Sequence, residues 1–449
     1  MHISNSKINE IPANLSFPDL EKFILHPDLD LCNIPSSFIE KMPSLKVLDM
    51  SKTSINTLPP WVCKLNRLQE LLMRCCDNMR ELTGDIGALN NLRVLDLSGC
   101  TNLAEIPESI YLLQNLSSLV LADCKSLTEL PQSLCMLRSL QNLNLSGCVN
   151  LVEIPESIES LQRLSSLLVA DCKSLTRLPQ SLCLLGSLHN LSISSCTNLA
   201  EILESIEWLG RLSSLVITDC INLRTIPESI CLVGSLQNLH LSGCKTMSEI
   251  PESIEFLEGL SSLTLTDCNS LKKLPNSLFM LSSLQNLNLS GCTSLAGIPE
   301  SIQFLEGLSS LTLADCKCLT KLPDSLCMLG SLQYLNLSGW TNLAEIPESI
   351  ELLEGLSSLI LTDCKSLTKL PHSLCMLRSL QNLNLPGCTN MAVKSESKGL
   401  QMFVKATRKY MYFFLICASA FSYVAFSLLT GRPFTRKVRY EDCPDGLWL

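Results

Sequence analysis

Leu92 to Asn115 reads LRVLDLSGCTNLAEIPESIYLLQN, and Leu116 to Ser139 reads LSSLVLADCKSLTELPQSLCMLRS. The two stretches align residue for residue. The same 24-residue unit restarts at Leu140, Leu164, Leu188, Leu212, Leu236, Leu260, Leu284, Leu308, Leu332 and Leu356, with a partial copy from Leu380. Twelve full copies follow one another without insertion or deletion. A fixed period of this length means that one structural unit is stacked on itself. A single unit cannot fold alone. Each of its eight apolar positions contributes about 1.5–3 kcal/mol when buried, against about 1–2 kcal/mol for every residue fixed. Neighbouring units must supply the rest, which is why the array is long.

Numbering each unit from its first Leu, positions 3–7 alternate apolar and polar and read as a short strand. Leu at positions 4 and 6 faces inward, and positions 3, 5 and 7 face outward. Pro at position 16 suits a first helical turn but removes an interior donor, so the other side of the unit reads as short helical or 3-10 turns. LxxLxLxxC followed by LxxIPxxIxxL is the pattern of a leucine-rich repeat. The expected fold is an α/β solenoid: a leucine-rich-repeat horseshoe of 24-residue repeats, with a parallel sheet on the concave face and short helical or 3-10 convex turns.

The units alternate in type, which makes a 48-residue super-repeat. One type carries LQNLNLSGC and EIPESI; the other carries LSSL, then DCKSLT and SLC. Units 116–139 and 356–379 agree at 20 of 24 positions and differ only at positions 5, 7, 14 and 17, all expected to be exposed.

Around the main array the pattern loosens. Residues 1–44 read as degenerate N-terminal repeats, with Ile8 to Pro12 echoing half a unit and no polar cap in sight. The leucine-rich array proper runs over 45–391 and begins with a 23-residue copy at 45–67 and a divergent one at 68–91. A polar and basic linker (392–409) follows, then a charge-free run, YMYFFLICASAFSYVAFSLL, at 410–429, then a basic-then-acidic tail at 430–449. Twenty apolar residues between basic flanks meet the length of a membrane-spanning helix; a capping helix or foreign joined sequence are the competing readings.

The 449 residues carry a net charge of -9 and a pI near 5.2, with no basic patch in the repeats, so no nucleic-acid partner is expected. The N-terminus shows no apolar stretch of signal-peptide length. The expected location is therefore the cytoplasmic face, membrane-anchored if 410–429 spans a bilayer. The 24 cysteines are then expected as free thiols.

Thirteen of those cysteines recur at position 9: Cys76, Cys100, Cys124, Cys148, Cys172, Cys196, Cys220, Cys244, Cys268, Cys292, Cys316, Cys364 and Cys388, with Trp340 breaking the column. Identical side chains pointing one way make poor metal sets, so the column reads as a structural ladder hydrogen-bonding backbone where the strand turns away. A second set at position 20 (Cys63, Cys135, Cys183, Cys231, Cys327, Cys375) reads as small filler. Position 8 of alternate units is Asp: Asp123, Asp171, Asp219, Asp267, Asp315 and Asp363. These residues either line an edge of the concave face as an acidic strip or bond local backbone at the strand end. The intervening strands carry an Asn ladder, Asn142, Asn144, Asn190, Asn238, Asn286, Asn288, Asn336, Asn382 and Asn384, interrupted by His240 and Tyr334. Amides offer donors and acceptors to a docked partner. Opposite charges at position 14, as in Glu153, Arg177 and Glu201 or Lys321, Glu345 and Lys369, are expected to pair across units. No phosphate loop, nucleophile elbow, metal-spaced Cys/His set or His cluster is present, so neither an enzyme nor a cofactor is expected.

Residues 33–100, and above all MPSLKVLDMSKTSINTLP, resemble the start of the leucine-rich-repeat region of plant nucleotide-binding disease-resistance proteins. The later units resemble the same family and, more loosely, the plant intracellular Ras-group leucine-rich-repeat proteins. The resemblance implies a module that senses pathogen effectors or holds a nucleotide switch inactive. It covers the repeats only, and no nucleotide-binding domain stands in this chain, so the switch is not carried over. The expectation is a non-catalytic recognition module of immune type, a truncated resistance protein in form, whose concave face takes a protein partner: an effector, a guarded host protein or a signalling domain. The alternative is a membrane-tethered signalling scaffold.

Overall fold

The computed structural model describes residues 2–3, 17–25 and 41–391. The linker, the apolar run at 410–429 and the tail lie outside the described residues, and so does the membrane reading placed on them. Among the described residues, no helix is long and apolar enough to cross a membrane.

Among the described residues, seventeen strands form one sheet in which each pairs in parallel with the next in sequence, from β1 (His2–Ile3), β2 (Lys22–Leu25) and β3 (Val47–Asp49) to β17 (Asn382–Asn384). Partners in the regular array are offset by one unit, as Leu119 opposite Leu143 and Leu311 opposite Leu335. The sheet is open, and from β3 onward each connection between strands contains a 3-10 turn, so the fold is a leucine-rich-repeat solenoid. The regular units bury the same eight positions, with Leu370 near the end of the array only partly covered. In the first regular copy these are Leu92, Leu95, Leu97, Cys100, Leu103, Ile106, Ile110 and Leu113, and they join one continuous core along the stack.

The strands are shorter than the alternation suggests. Most cover positions 3–5, as Ser118–Val120 and Asn142–Asn144, and only β8 (Ser166–Ala170), β9 (Asn190–Ser194), β10 (Ser214–Thr218) and β11 (Asn238–Ser242) reach position 7. The ladder of backbone bonds nevertheless runs on. Leu121 N–H donates to Asn144 O at 2.8 Å, and Asp123 N–H to Ser146 O.

Position 8 explains where the strand stops. Among the described residues, every one with positive φ stands at position 8 of its unit, and fifteen consecutive units have one, from Lys52 (φ 64) to Gly387 (φ 78). The left-handed backbone turns the chain out of the sheet, and Gly and Asp tolerate it best.

On the far side, Pro at position 16 holds an extended conformation just before the 3-10 turn, and its carbonyl receives the first bond, as Ile110 N–H to Pro107 O at 3.0 Å. Two units lack this proline and differ in outcome: with Leu203 at position 16 the turn is three residues, Ile206–Trp208, whereas with Thr83 there the turn Gly84–Ala88 keeps five. Side chains tie the turns together: Asn102 Nδ2 donates to Asp77 O at 2.7 Å and Asn150 Nδ2 to Lys125 O at 2.9 Å.

The ion pairs expected at position 14 are mostly not formed. Lys369 and Glu345 approach to 4.0 Å with both side chains largely exposed, and Glu153, Arg177, Glu201 and Lys321 make no ion pair among the described residues. Hydration of mobile, exposed chains outweighs a weak attraction there.

Candidate functional site

The outward positions of the strands build a face of small polar groups. At position 3, Asn142, Asn190, Asn238, Asn286 and Asn382 are exposed, and their amides make no hydrogen bond among the described residues. Tyr334 takes the same place on its strand and is half-buried.

Position 5 behaves differently. The side-chain oxygens of Asn144, Asn288 and Asn336 accept the backbone N–H two residues on, from Ser146 at 2.9 Å, Ser290 at 3.0 Å and Ser338 at 2.9 Å. That bond fixes the amide plane and leaves the NH2 group outward as a donor. Asn384 cannot do this, because Pro386 has no N–H at the matching place, and its side chain is exposed. His240 occupies position 5 of β11, where burial pushes its imidazole below the usual range.

Of the six strands between the amide strands, four are apolar at position 5, with Val120, Leu168, Val216 and Ile360, and two carry Thr264 and Thr312. This stripe was legible as the alternation of Asn with apolar residues at that position, but attention to the amides alone passes over it. From Leu92 to Leu385 no Lys or Arg stands at positions 3, 5 or 7, and Asp96 is the one acid.

The six aspartates Asp123, Asp171, Asp219, Asp267, Asp315 and Asp363 are exposed at the edge where the strands end. The local backbone bond weighed for them is not made: no side-chain hydrogen bond holds them among the described residues. Their setting is steric. A Cβ placed on Gly147 would lie 3.0 Å from both Cα and Cγ of Asp123 and closer still to Oδ1. The same holds for Gly243 over Asp219, Gly291 over Asp267, Gly339 over Asp315 and Gly387 over Asp363. Each aspartate therefore occupies space that the next unit leaves by lacking a side chain. Ser195 is the exception, with φ 52 one unit after Asp171, and it falls among the four long strands.

The cysteines of position 9 turn away from this face. Each is buried, save half-buried Cys388, and from Cys100 onward each directs its thiol at the position-6 carbonyl of the preceding unit, 27 residues back. Cys100 donates to Met73 O at 3.0 Å, Cys124 to Leu97 O at 3.4 Å, Cys148 to Leu121 O at 3.2 Å and Cys172 to Leu145 O at 3.2 Å. Cys196 donates to Val169 O at 3.5 Å, Cys268 to Leu241 O at 3.5 Å, Cys292 to Leu265 O at 2.8 Å and Cys316 to Leu289 O at 3.1 Å. Cys364 donates to Leu337 O at 3.2 Å and Cys388 to Leu361 O at 3.0 Å; Cys220 and Cys244 are longer, at 4.0 and 3.9 Å. Trp340 keeps the rule, since its indole N–H donates to Leu313 O from a fully buried position. The column supplies a second donor to carbonyls such as Leu97, Leu121 and Leu145, which already accept the backbone N–H of the position-9 cysteine of their own unit.

Burial pushes five of these thiols up, to about 11 for Cys244 and Cys292 and about 12 for Cys148, Cys220 and Cys316, while the neighbouring thiol lowers Cys76, Cys196 and Cys388. The raised thiols are neither nucleophiles nor ready metal ligands at neutral pH. At position 20, Cys63, Cys135, Cys183, Cys231 and Cys327 are buried, and Cys375 near the end of the array is exposed.

Before the regular array the face changes character. Arg74 pairs with Asp96, which is 9% exposed, and the pairing raises the guanidinium further. Thr53 Oγ1 lies 3.4 Å from Cys76 Sγ, and Cys76 donates to Met50 O at 3.3 Å. Arg74 is the one base on this part of the face that the buried aspartate holds in place.

Residues 84–178 match the family described as Zer-1-like leucine-rich repeats. No curated protein matches the chain in sequence. Among solved structures, a leucine-rich-repeat protein of Leptospira interrogans is 25% identical, with a TM-score of 0.62 over 85% of this chain and 89% of that one. Drosophila Toll, solved in complex with Spatzle, is 19% identical with a TM-score of 0.60, over 75% of this chain and 49% of that one. TLR13, solved in complex with ssRNA13, is 18% identical with a TM-score of 0.50, over 82% of this chain and 62% of that one. The last two likenesses concern the fold alone.

Proposed function

We propose that this leucine-rich-repeat solenoid is a non-catalytic protein-recognition module of plant immune type, and that its sheet face receives a protein partner such as an effector, a guarded host protein or a signalling domain. The observation that carries the reading is the set of exposed position-3 amides, Asn142, Asn190 and Asn286, which have no hydrogen-bond partner among the described residues. Unpaired amides arranged on a rigid sheet lose little entropy when a partner pairs them. The oriented NH2 donors of Asn144, Asn288 and Asn336 and the aromatic Tyr334 add to the same face, and the six aspartates form its acidic edge. The immune assignment rests on the resemblance of residues 33–100 to plant resistance proteins.

The test uses a partner selected from a plant protein library by the full chain. Replacing Asn142, Asn190, Asn286 and Tyr334 together with Ala should abolish its capture while the thermal melt stays unchanged. Undiminished capture by that variant sinks the sheet-face reading. A partner set without any defence-related protein sinks the immune one.

A second reading, favoured by the charge-free run at 410–429, tethers the array to a membrane as a signalling scaffold. Fractionation of the full chain with the soluble proteins would count against it.

A further inference from the structure

Position 21 closes each 3-10 turn. Three residues per turn put positions 19 and 22 on one buried face and leave position 21 off it. In six consecutive units position 21 is Leu232, Phe256, Met280, Phe304, Met328 and Leu352, each 49–63% exposed. One exposed apolar side chain needs no explanation, but the same place filled in every unit makes a continuous crest. Beside it, positions 17, 20 and 23 of these six units carry ten carboxylates, among them Glu252, Glu255, Glu258, Glu348, Glu351 and Glu354. No Lys or Arg stands at positions 17–24 of the six units, and none of the ten acids forms an ion pair among the described residues. The turn side is thus apolar along its crest and predominantly negative on its flanks, where Lys273 is a base lining the same hollow as Glu228 and Glu252.

We propose that this crest is the docking site of a basic amphipathic helix supplied by a partner protein. Charge decides the class of occupant. A second copy would press two acidic borders together, and an anionic lipid surface would be repelled. Register decides its conformation. The crest repeats once per stacked unit, about 4.8 Å apart at the sheet, and a helix advances about 5.4 Å per turn. A helix laid along the stack sets one apolar side chain of its i, i+3, i+7 stripe against each crest residue. Over the six units the mismatch is only about 3 Å. An extended strand, whose same-face side chains recur about every 6.6 Å, falls out of step sooner. Met280 and Met328 can adapt to the small drift. Lysines and arginines on the borders of the docked helix would meet the carboxylates. This surface belongs to the turns and is separate from the amide strands, so its failure leaves the sheet-face reading intact.

The probe is a Leu/Lys peptide of about 18 residues, five helical turns, with its leucines at helical spacing, beside a scrambled peptide of the same composition. Binding to the full chain is followed by fluorescence anisotropy and by the gain of helical circular dichroism. The ordered peptide should bind as a helix, and the scrambled one far more weakly. Each of Phe256→Ser and Phe304→Ser should weaken binding roughly tenfold, from the loss of a half-exposed apolar contact, with an unchanged melting temperature. Replacing Glu255, Glu258, Glu351 and Glu354 with Gln should flatten the salt dependence. Equal binding of the two peptides, or full affinity in both Phe variants, overturns the proposal. So does binding to phosphatidylserine vesicles that is lost in the same Phe variants, which would make the crest a lipid contact.

Discussion

Gly147→Ala is the sharpest probe of how the stack is built. Gly147 has φ +78, and an added Cβ would meet Asp123 of the preceding unit inside any real contact distance. An L-residue in left-handed backbone costs about 1–2 kcal/mol. Removing a glycine from the unfolded chain returns roughly 0.4–1 kcal/mol. Asp123 is exposed, so it can swing aside into a poorer rotamer for about 0.5–1.5 kcal/mol. The net expectation is a loss of about 0.5–3 kcal/mol, read from urea unfolding and from faster amide exchange around residues 140–170. Gly234→Ala is the control, since nothing lies within 4 Å of its Cβ and its φ is ordinary; it should be neutral or slightly stabilising. Adding Asp123→Gly to Gly147→Ala should recover only the steric share, a coupling of about 0.5–1.5 kcal/mol. The reasoning is refuted if Gly147→Ala matches Gly234→Ala, or if the Asp123 and Gly147 substitutions prove strictly additive.

Ser195→Gly acts on the same column with the opposite sign. Relieving φ 52 at Ser195 should stabilise the array by about 0.5–1 kcal/mol, and a destabilised urea midpoint would contradict it. Trp340→Phe keeps an aromatic ring but removes the indole N–H from the buried Leu313 carbonyl; the loss should be about 1–3 kcal/mol, checked against Trp340→Cys, which restores a donor of the column's usual kind. Stability should also fall steeply in alkali. An unfolded thiol ionises near 9.0, while Cys148, Cys220, Cys244, Cys292 and Cys316 are pushed up to about 11–12. The folded state thus retains protons that the unfolded state releases. Their contribution is fully present below pH 9 and is lost as pH rises through 11–12, at about 1.4 kcal/mol per pH unit for each thiol. Urea midpoints at pH 8 and pH 10 measure this, and equal midpoints would refute it. At pH 8, a thiol reagent should label exposed Cys75, Cys318 and Cys375 in the native protein and leave the buried position-9 cysteines from Cys76 to Cys364 intact; mass mapping of the labelled peptides shows whether it does.

Much of this molecule follows from the chain read as a line. The 24-residue period demands a stack, the alternation around positions 4 and 6 sets which side chains enter the core, and Pro at position 16 marks where a 3-10 turn begins. These are local or strictly periodic properties, so one unit read carefully describes the rest. The position-14 charges misled for a related reason: spacing along the chain shows who is adjacent, not whether solvent has already satisfied them.

Two features needed the third dimension. The Asp and Gly of alternating units sit 24 residues apart, and only stacking shows that the carboxylate of one occupies the place of the other's missing side chain. The two-unit tile is therefore a packing requirement as well as a sequence pattern. The apolar residues at positions 19, 21 and 22 look alike in the sequence. It is the three-residue turn, pressed against its neighbours, that buries Ile350 and Leu353 and leaves Leu352 between them half in water.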